Sequence, residues 1–250
     1  MSAIRKLIMS RSYWKTGEYY EQPTAESLQK KAASTIKKAE TKGRSMEPVI
    51  VTGSVIAKSW WGRAWCENLE SYADYESRLD RGKRYLKTGA VVDLKIQKGK
   101  VSAKVQGRRA TPYNIEVRIS PLNEAHCQKI MAECGKKVSS LDRLLKGDFP
   151  EELKESFLGV GGLFPTPKEI SFNCSCPDWA IMCKHVAAVL YGIAVRFDEN
   201  PLLFFELRGI DVDRFVEVTL DNSVESMLAN ADVKSSRIIE SEDWEKLFGV

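Results

Sequence analysis

Alternation of apolar and polar residues is clearest in the middle of the chain, where it marks three strands. Val92, Leu94 and Ile96 alternate with Asp93, Lys95 and Gln97, and Lys98-Gly99-Lys100 supplies a turn. Val101, Ala103 and Val105 then alternate with Ser102, Lys104 and Gln106, and Ile115, Val117 and Ile119 alternate with Asn114, Glu116 and Arg118. A period of two sends successive side chains to opposite faces, so one face of this small antiparallel sheet is apolar and the other polar. Helical spacing governs elsewhere. Leu28, Ala32, Ile36 and Ala39 predict a helix from Thr24 to about Lys42, opened by Pro23-Thr24 and closed by Gly43. Its apolar stripe is thin, so weak packing, or packing against another element, is expected. Trp60, Trp61, Trp65 and Leu69 predict a short helix with an aromatic face, followed by the basic run Arg78 to Tyr85, which Gly82 interrupts. Three short helical patterns fill the stretch from Pro121 to Gly159. The first puts Cys127, Ile130, Met131, Cys134 and Val138 on one face, which reads these two cysteines as core. Val186, Val189, Leu190, Ile193 and Phe197 predict a further helix that begins near His185.

These elements predict an α+β fold: a small antiparallel sheet with helices, then a helical linker, then a strand-knuckle-helix finger. Five segments follow: a basic N-terminal extension with a helix (1–48), an α+β domain (49–120), a helical connector (121–165), the finger with its following helix (166–210) and an acidic tail (211–250). At 250 residues with 43% hydrophobic and 29% charged positions, neither disorder nor a fibrous class is indicated. The longest apolar stretch, Val186 to Val195, is half of the ~20 residues that span a bilayer. The opening Met1-Ser2-Ala3-Ile4-Arg5-Lys6 has no apolar segment followed by a small-residue cleavage site, so neither export nor a membrane partner is expected. The expected compartment is the reducing cytoplasm.

Charge changes the picture more than composition does. Residues 1–120 carry 24 Lys/Arg against 12 Asp/Glu, whereas residues 211–250 carry 4 against 10. A basic front suits a polyanion. Lys95, Lys104 and Arg118 share the polar face of the sheet, beside a loop holding Arg108 and Arg109; with Arg81, Lys83 and Arg84 of the basic run they form the candidate nucleic-acid-binding set. The alternative is an ordinary solvated face, because the outer side of an antiparallel sheet is polar in any case. At the far end, Trp244, Leu247 and Phe248 among Glu240, Glu242, Asp243 and Glu245 make either a docking peptide or a frayed terminus.

Six cysteines in a reducing compartment point to metal binding or burial rather than disulfides. Cys174, Cys176, Cys183 and His185 lie within twelve residues of one another. Three thiolates and an imidazole form a closed tetrahedral set for zinc, with no position left for water; such a site holds structure and does not catalyse. Cys174 and Cys176 alternate on a strand, so a turn at Cys176-Pro177 is needed to bring both sulfurs to one ion. Residues two apart on a helix diverge, so Cys183 must lie off the helical path that starts at His185. Buried or disulfide-linked cysteines with a core histidine are the alternative.

The pattern Cys174-x-Cys176-x6-Cys183-x-His185 resembles the SWIM zinc finger, CxCxnCxH, found in Swi/Snf-type ATPases, Mu-type transposases and recombination accessory proteins. The surroundings are similar too. Cys176-Pro177-Asp178-Trp179-Ala180, Cys183-Lys184-His185-Val186-Ala187 and the later Asn200-Pro201-Leu202-Leu203-Phe204-Phe205 look like the prokaryotic SWIM proteins, and the similarity reaches upstream to Trp60-Trp61-Gly62-Arg63. The resemblance implies a zinc cofactor and a non-catalytic accessory role that binds nucleic acid, with DNA first, alongside a Swi/Snf-type ATPase. That ATPase is not this chain, which has no GxxxxGK[ST] loop. The second reading is a protein-protein adaptor in recombination or repair. No enzyme is expected: with His185 on the metal only His126 remains as a general base, and no carboxylate cluster has the spacing of a magnesium nuclease.

Overall fold

The computed structural model describes residues 23–137 and 141–229; the aromatic run at 13–20, Val138 and the Trp244 segment lie outside them. The fold is α+β, as the periodicities predict. α1 (Ala25–Glu40) starts where Thr24 accepts a hydrogen bond from the Ser27 amide (3.2 Å), and Gly43 follows it at φ 67°. Three residues of its thin stripe, Leu28, Ala32 and Ala39, are buried, and Ile36 is half-buried; the helix packs against β1 and α3. α2 (Trp60–Glu70) is capped by Ser59, whose hydroxyl donates to Asp198. Its aromatic face enters the core, where Trp61 stacks on Phe204 (5.8 Å, 12°) and Trp65 meets Phe197 edge-on (5.1 Å, 76°).

The basic run is not an interrupted segment but part of one helix, α3 (Glu76–Lys87). Gly82 stands where this helix crosses α7 (Lys184–Glu199): a Cβ there would lie 2.5 Å from the Ala187 Cβ and 3.0 Å from Ala187 and Ala188 backbone. The close approach explains the glycine. Gly82→Ala is therefore expected to destabilise by about 1–3 kcal/mol through overpacking, although alanine is the better helix former by ~1 kcal/mol in an open helix. Urea unfolding checks this, and a stabilised variant would refute the contact.

The sheet has four strands rather than three. β1 (Val91–Gln97), β2 (Lys100–Val105) and β3 (Tyr113–Ile119) are the expected meander, and β4 (Ile170–Cys174) adds antiparallel to β3, with Ile115 opposite Cys174 and Ile119 opposite Ile170. The finger thus supplies the last strand of the sheet. α7 lies across the apolar face and is buried at twelve positions, which matches its apolar sequence. α4 (Glu124–Lys137), α5 (Leu141–Leu145), a 3-10 turn (Glu151–Leu153) and α6 (Lys154–Leu158) form the helical connector; α8 (Leu202–Leu207) leads to α9 (Val212–Ala229), which packs on α4. Cys127 and Cys134 are buried in the core, and burial pushes the Cys134 thiol up to about 12. One apolar cluster runs from Leu28 to Phe215 and includes Met182, Cys183 and Val186 of the finger. Among the described residues no helix is long and apolar enough to cross a membrane.

Candidate functional site

Each ligand of the expected metal site is delivered by a different piece of local structure. Cys174 ends β4, and the chain bends through Ser175–Pro177 to present Cys176. Ser175 fixes the bend on β3: its amide donates to the Asn114 carbonyl and its hydroxyl accepts from the Asn114 amide, both at 3.0 Å. Cys183 occupies the cap position before α7 with extended backbone (φ −71°, ψ 165°), off the helical path, and His185 sits in the first turn. The four donor atoms lie within 4.8 Å of one another. His185 Nδ1 is 3.9 Å from the sulfurs of both Cys174 and Cys183. A tetrahedral zinc ion with ordinary bond lengths separates sulfur and nitrogen ligands by roughly 3.6 Å, so the set fits zinc after a small contraction.

The electrostatics point the same way. A hydrogen bond to Cys183 and burial hold the Cys174 thiol far above its ordinary value, and burial raises Cys176. Cys183 is pushed down to about 3 by the hydrogen bond from Cys174, with His185 helping. Three crowded sulfurs, one buried and two half-buried, can all be thiolates only if a cation compensates them, and a divalent ion does so. His185 is 2% exposed and its Nε2 has no hydrogen-bond partner among the described residues. Its ring is gripped by aromatics instead, Tyr113 at 4.4 Å and Tyr85 edge-on at 5.3 Å. Gly107 is required beside it, because a Cβ there would lie 2.6 Å from the Tyr113 ring and 3.2 Å from Nε2.

A groove of about 930 Å³ opens over this centre. Arg78 and Arg81 reach it from α3, Arg108 and Arg109 from the β2–β3 loop, and Lys184 from the start of α7. Gln106, wholly buried, shapes that loop by donating to the carbonyls of Gly107 (3.1 Å) and Arg109 (2.7 Å), while α1 supports it through Thr35 to Gln106 and Lys31 to the Arg108 carbonyl. Arg78 is paired with Asp178 at 3.1 Å; Arg81 and Lys184 have no ion-pair partner among the described residues.

The predicted cations therefore part company. Arg81, Arg108 and Arg109 line the groove. Arg84 is exposed nearby and donates to the Pro23 carbonyl (3.4 Å), whereas Lys83 turns to Glu70 (2.9 Å) and the Tyr191 ring. Lys95, Lys104 and Arg118 do lie on the polar sheet face, but each meets a carboxylate there: Glu47 at 3.5 Å, Asp93 at 3.6 Å and Glu116 at 2.6 Å. The polar alternation that placed them also placed Asp93 and Glu116, whereas Glu47 comes from the segment between α1 and α2. Lys184, Arg78, Gln106 and Trp179 are the residues sequence reading does not single out. Position between Cys183 and His185 marked Lys184 as close to the metal, but nothing local marked Gln106.

This centre is a SWIM-type finger: residues 173–191 match the SWIM zinc finger family, a stretch that includes all four candidate ligands. The chain is also 39% identical over 163 residues, 63% of its own length, to the uncharacterised protein Rv2102 of Mycobacterium tuberculosis. That match spans a little over half, 57%, of the relative's length. No solved structure matches the chain.

Proposed function

We propose that this chain is a non-catalytic accessory protein that holds one structural zinc ion on Cys174, Cys176, Cys183 and His185 and binds nucleic acid in the groove above it. The observation that carries the reading is convergence: cations from α3, the β2–β3 loop and α7, distant in sequence, meet in one concavity whose floor includes His185. Basic side chains gathered on a rigid concave surface are suited to phosphates, and loop arginines reach them in pairs. Zinc would hold the knuckle and the start of α7 in register, and through them Lys184 and the groove wall. The preference for DNA, the action beside a Swi/Snf-type ATPase and the cytoplasmic setting rest on the SWIM resemblance and on the reduced thiols such a centre needs.

The test is fluorescence anisotropy of the zinc-loaded protein with DNA and RNA oligonucleotides across a salt series. Affinity is expected to fall with log salt at roughly −0.9 per phosphate contact on duplex DNA, and the Arg108→Glu, Arg109→Glu double variant is expected to flatten that slope by about two contacts. No binding at low salt would refute the reading. Exposed apolar residues at helical spacing on α9, Val224 (53%), Met227 (71%) and Leu228 (68%), favour the adaptor as the second reading.

A further inference from the structure

Trp179 is the least explained side chain near the groove. It stands in the knuckle between the second and third ligands, lines the groove, and is 77% exposed. The indole touches Tyr75 (45% exposed) and stands two residues from Ile181 (71% exposed), and an exposed apolar patch beside cations, unlike a lone apolar residue, calls for an explanation. Two contacts fix the loop on either side of it and one touches the ring itself. Asp178, the preceding residue, is paired with Arg78 at 3.1 Å, with both side chains largely buried. The amide of Ile181 donates to Asp74 (3.0 Å), tying the loop to the α2–α3 connection. Tyr75 meets the indole perpendicularly at 5.6 Å, an arrangement that leaves at least one indole face open whichever ring offers its edge. The other groove aromatics are already engaged: Tyr113 lies between Arg109 (5.2 Å) and His185, and Tyr85 meets His185 and Lys184.

We infer that the groove takes single-stranded nucleic acid in preference to duplex, with an unpaired base stacked on Trp179 while Arg81, Arg108, Arg109 and Lys184 hold the flanking phosphates. The inference rests on the nucleic-acid reading above and narrows its ligand. A duplex presents phosphates but keeps its base faces stacked inside, so it can use the cations and not the indole. A single strand can use both, because every base has a π face and a flexible backbone to turn it outward. An exposed aromatic with cations around it suits strand selection without base selection. Arg108 and Arg109 then serve either form, and Trp179 serves one.

The experiment compares a 15-nucleotide oligo-dT with a 15-base-pair duplex by anisotropy at one salt concentration, using the full zinc-loaded chain. Wild type is expected to bind the single strand at least tenfold more tightly. Trp179→Ala should weaken oligo-dT binding by roughly tenfold, the effect of one base–aromatic stack, and leave the duplex within twofold; Trp179→Phe should recover most of the loss. Because the indole is exposed, the alanine variant is expected to keep its fold, which its circular dichroism and zinc content check. Equal affinity for the two forms, or an equal loss for both in Trp179→Ala, overturns the strand preference while leaving the nucleic-acid reading intact. Absence of binding to either form at low salt overturns that reading itself.

Discussion

Cys176→Ser is expected to abolish stoichiometric zinc binding and to unfold the finger, with a loss on the order of 10 kcal/mol. That figure is comparable to the whole stability of an ordinary domain, about 5–15 kcal/mol, and the geometry says why the damage should spread. Cys176 itself is only half-buried, so its removal creates no large cavity; the cost is the metal's. Losing the ion, however, leaves Cys183 and His185 buried without compensation at the start of α7, the helix on which α2, α3 and the sheet pack. β4 would lose its anchor at Cys174 in the same event. His185→Ala should do at least as much, since it also empties the space between Tyr85 and Tyr113. Cys134→Ser, at a fully buried cysteine outside the cluster, should keep its zinc. Metal analysis and thermal unfolding with and without a chelator decide the matter: far less than one zinc per wild-type chain, or a Tm indifferent to chelation, would remove the metal centre from this account.

The second large effect is expected at Glu169, far from the metal in function but close to the strand that feeds it. Arg208 is completely buried and donates to Glu169 (2.7 Å) and to the Ser120 carbonyl (2.6 Å), joining the end of β3, the entry to β4 and the end of α8. Removing one partner of a buried pair strands the other charge, which costs about 3–5 kcal/mol; Glu169 is 30% exposed, so Glu169→Ala belongs near the low end, about 3 kcal/mol. The same pair gives a pH dependence. Burial alone would raise the Glu169 carboxyl, but hydrogen bonds from Arg208 and Thr166 outweigh it and hold the group below its ordinary value of 4.5. A depressed carboxyl stabilises fully above that ordinary value, and the contribution is lost as pH falls through the lower, folded-state value. Denaturant midpoints taken down through pH 4.5 should therefore drop more steeply for wild type than for Glu169→Ala. Parallel curves would show that the pair contributes nothing.

Legibility followed the range of the interaction that decides each feature. The four ligands were readable because soft donors within twelve residues, with a proline turn after the second and a helix after the third, admit few other uses. The off-helix position of Cys183 was readable because residues two apart on a helix point to nearly opposite sides. The strands β1 to β3 were readable because one-sided burial writes itself as alternation. β4 was legible as a strand but not as the fourth member of the sheet, since five residues carry no mark of their neighbour. α3 was obscured because a mid-helix glycine reads as a break; its reason is Ala187, more than a hundred residues away.

The cations show the boundary most clearly. By itself the sequence determined that the chain is α+β, that its first half is basic, and that Cys174, Cys176, Cys183 and His185 can share one ion, because those properties reside in local periodicity, composition and donor chemistry. Only the tertiary structure decided that Lys95, Lys104 and Arg118 meet carboxylates on the sheet while Arg81, Arg108, Arg109 and Lys184 gather beside the four candidate ligands with Trp179 among them. The physical reason is that a charge acts through its distance to other charges, and those distances are set by how α3, α7 and the β2–β3 loop pack, not by the order of residues along the chain.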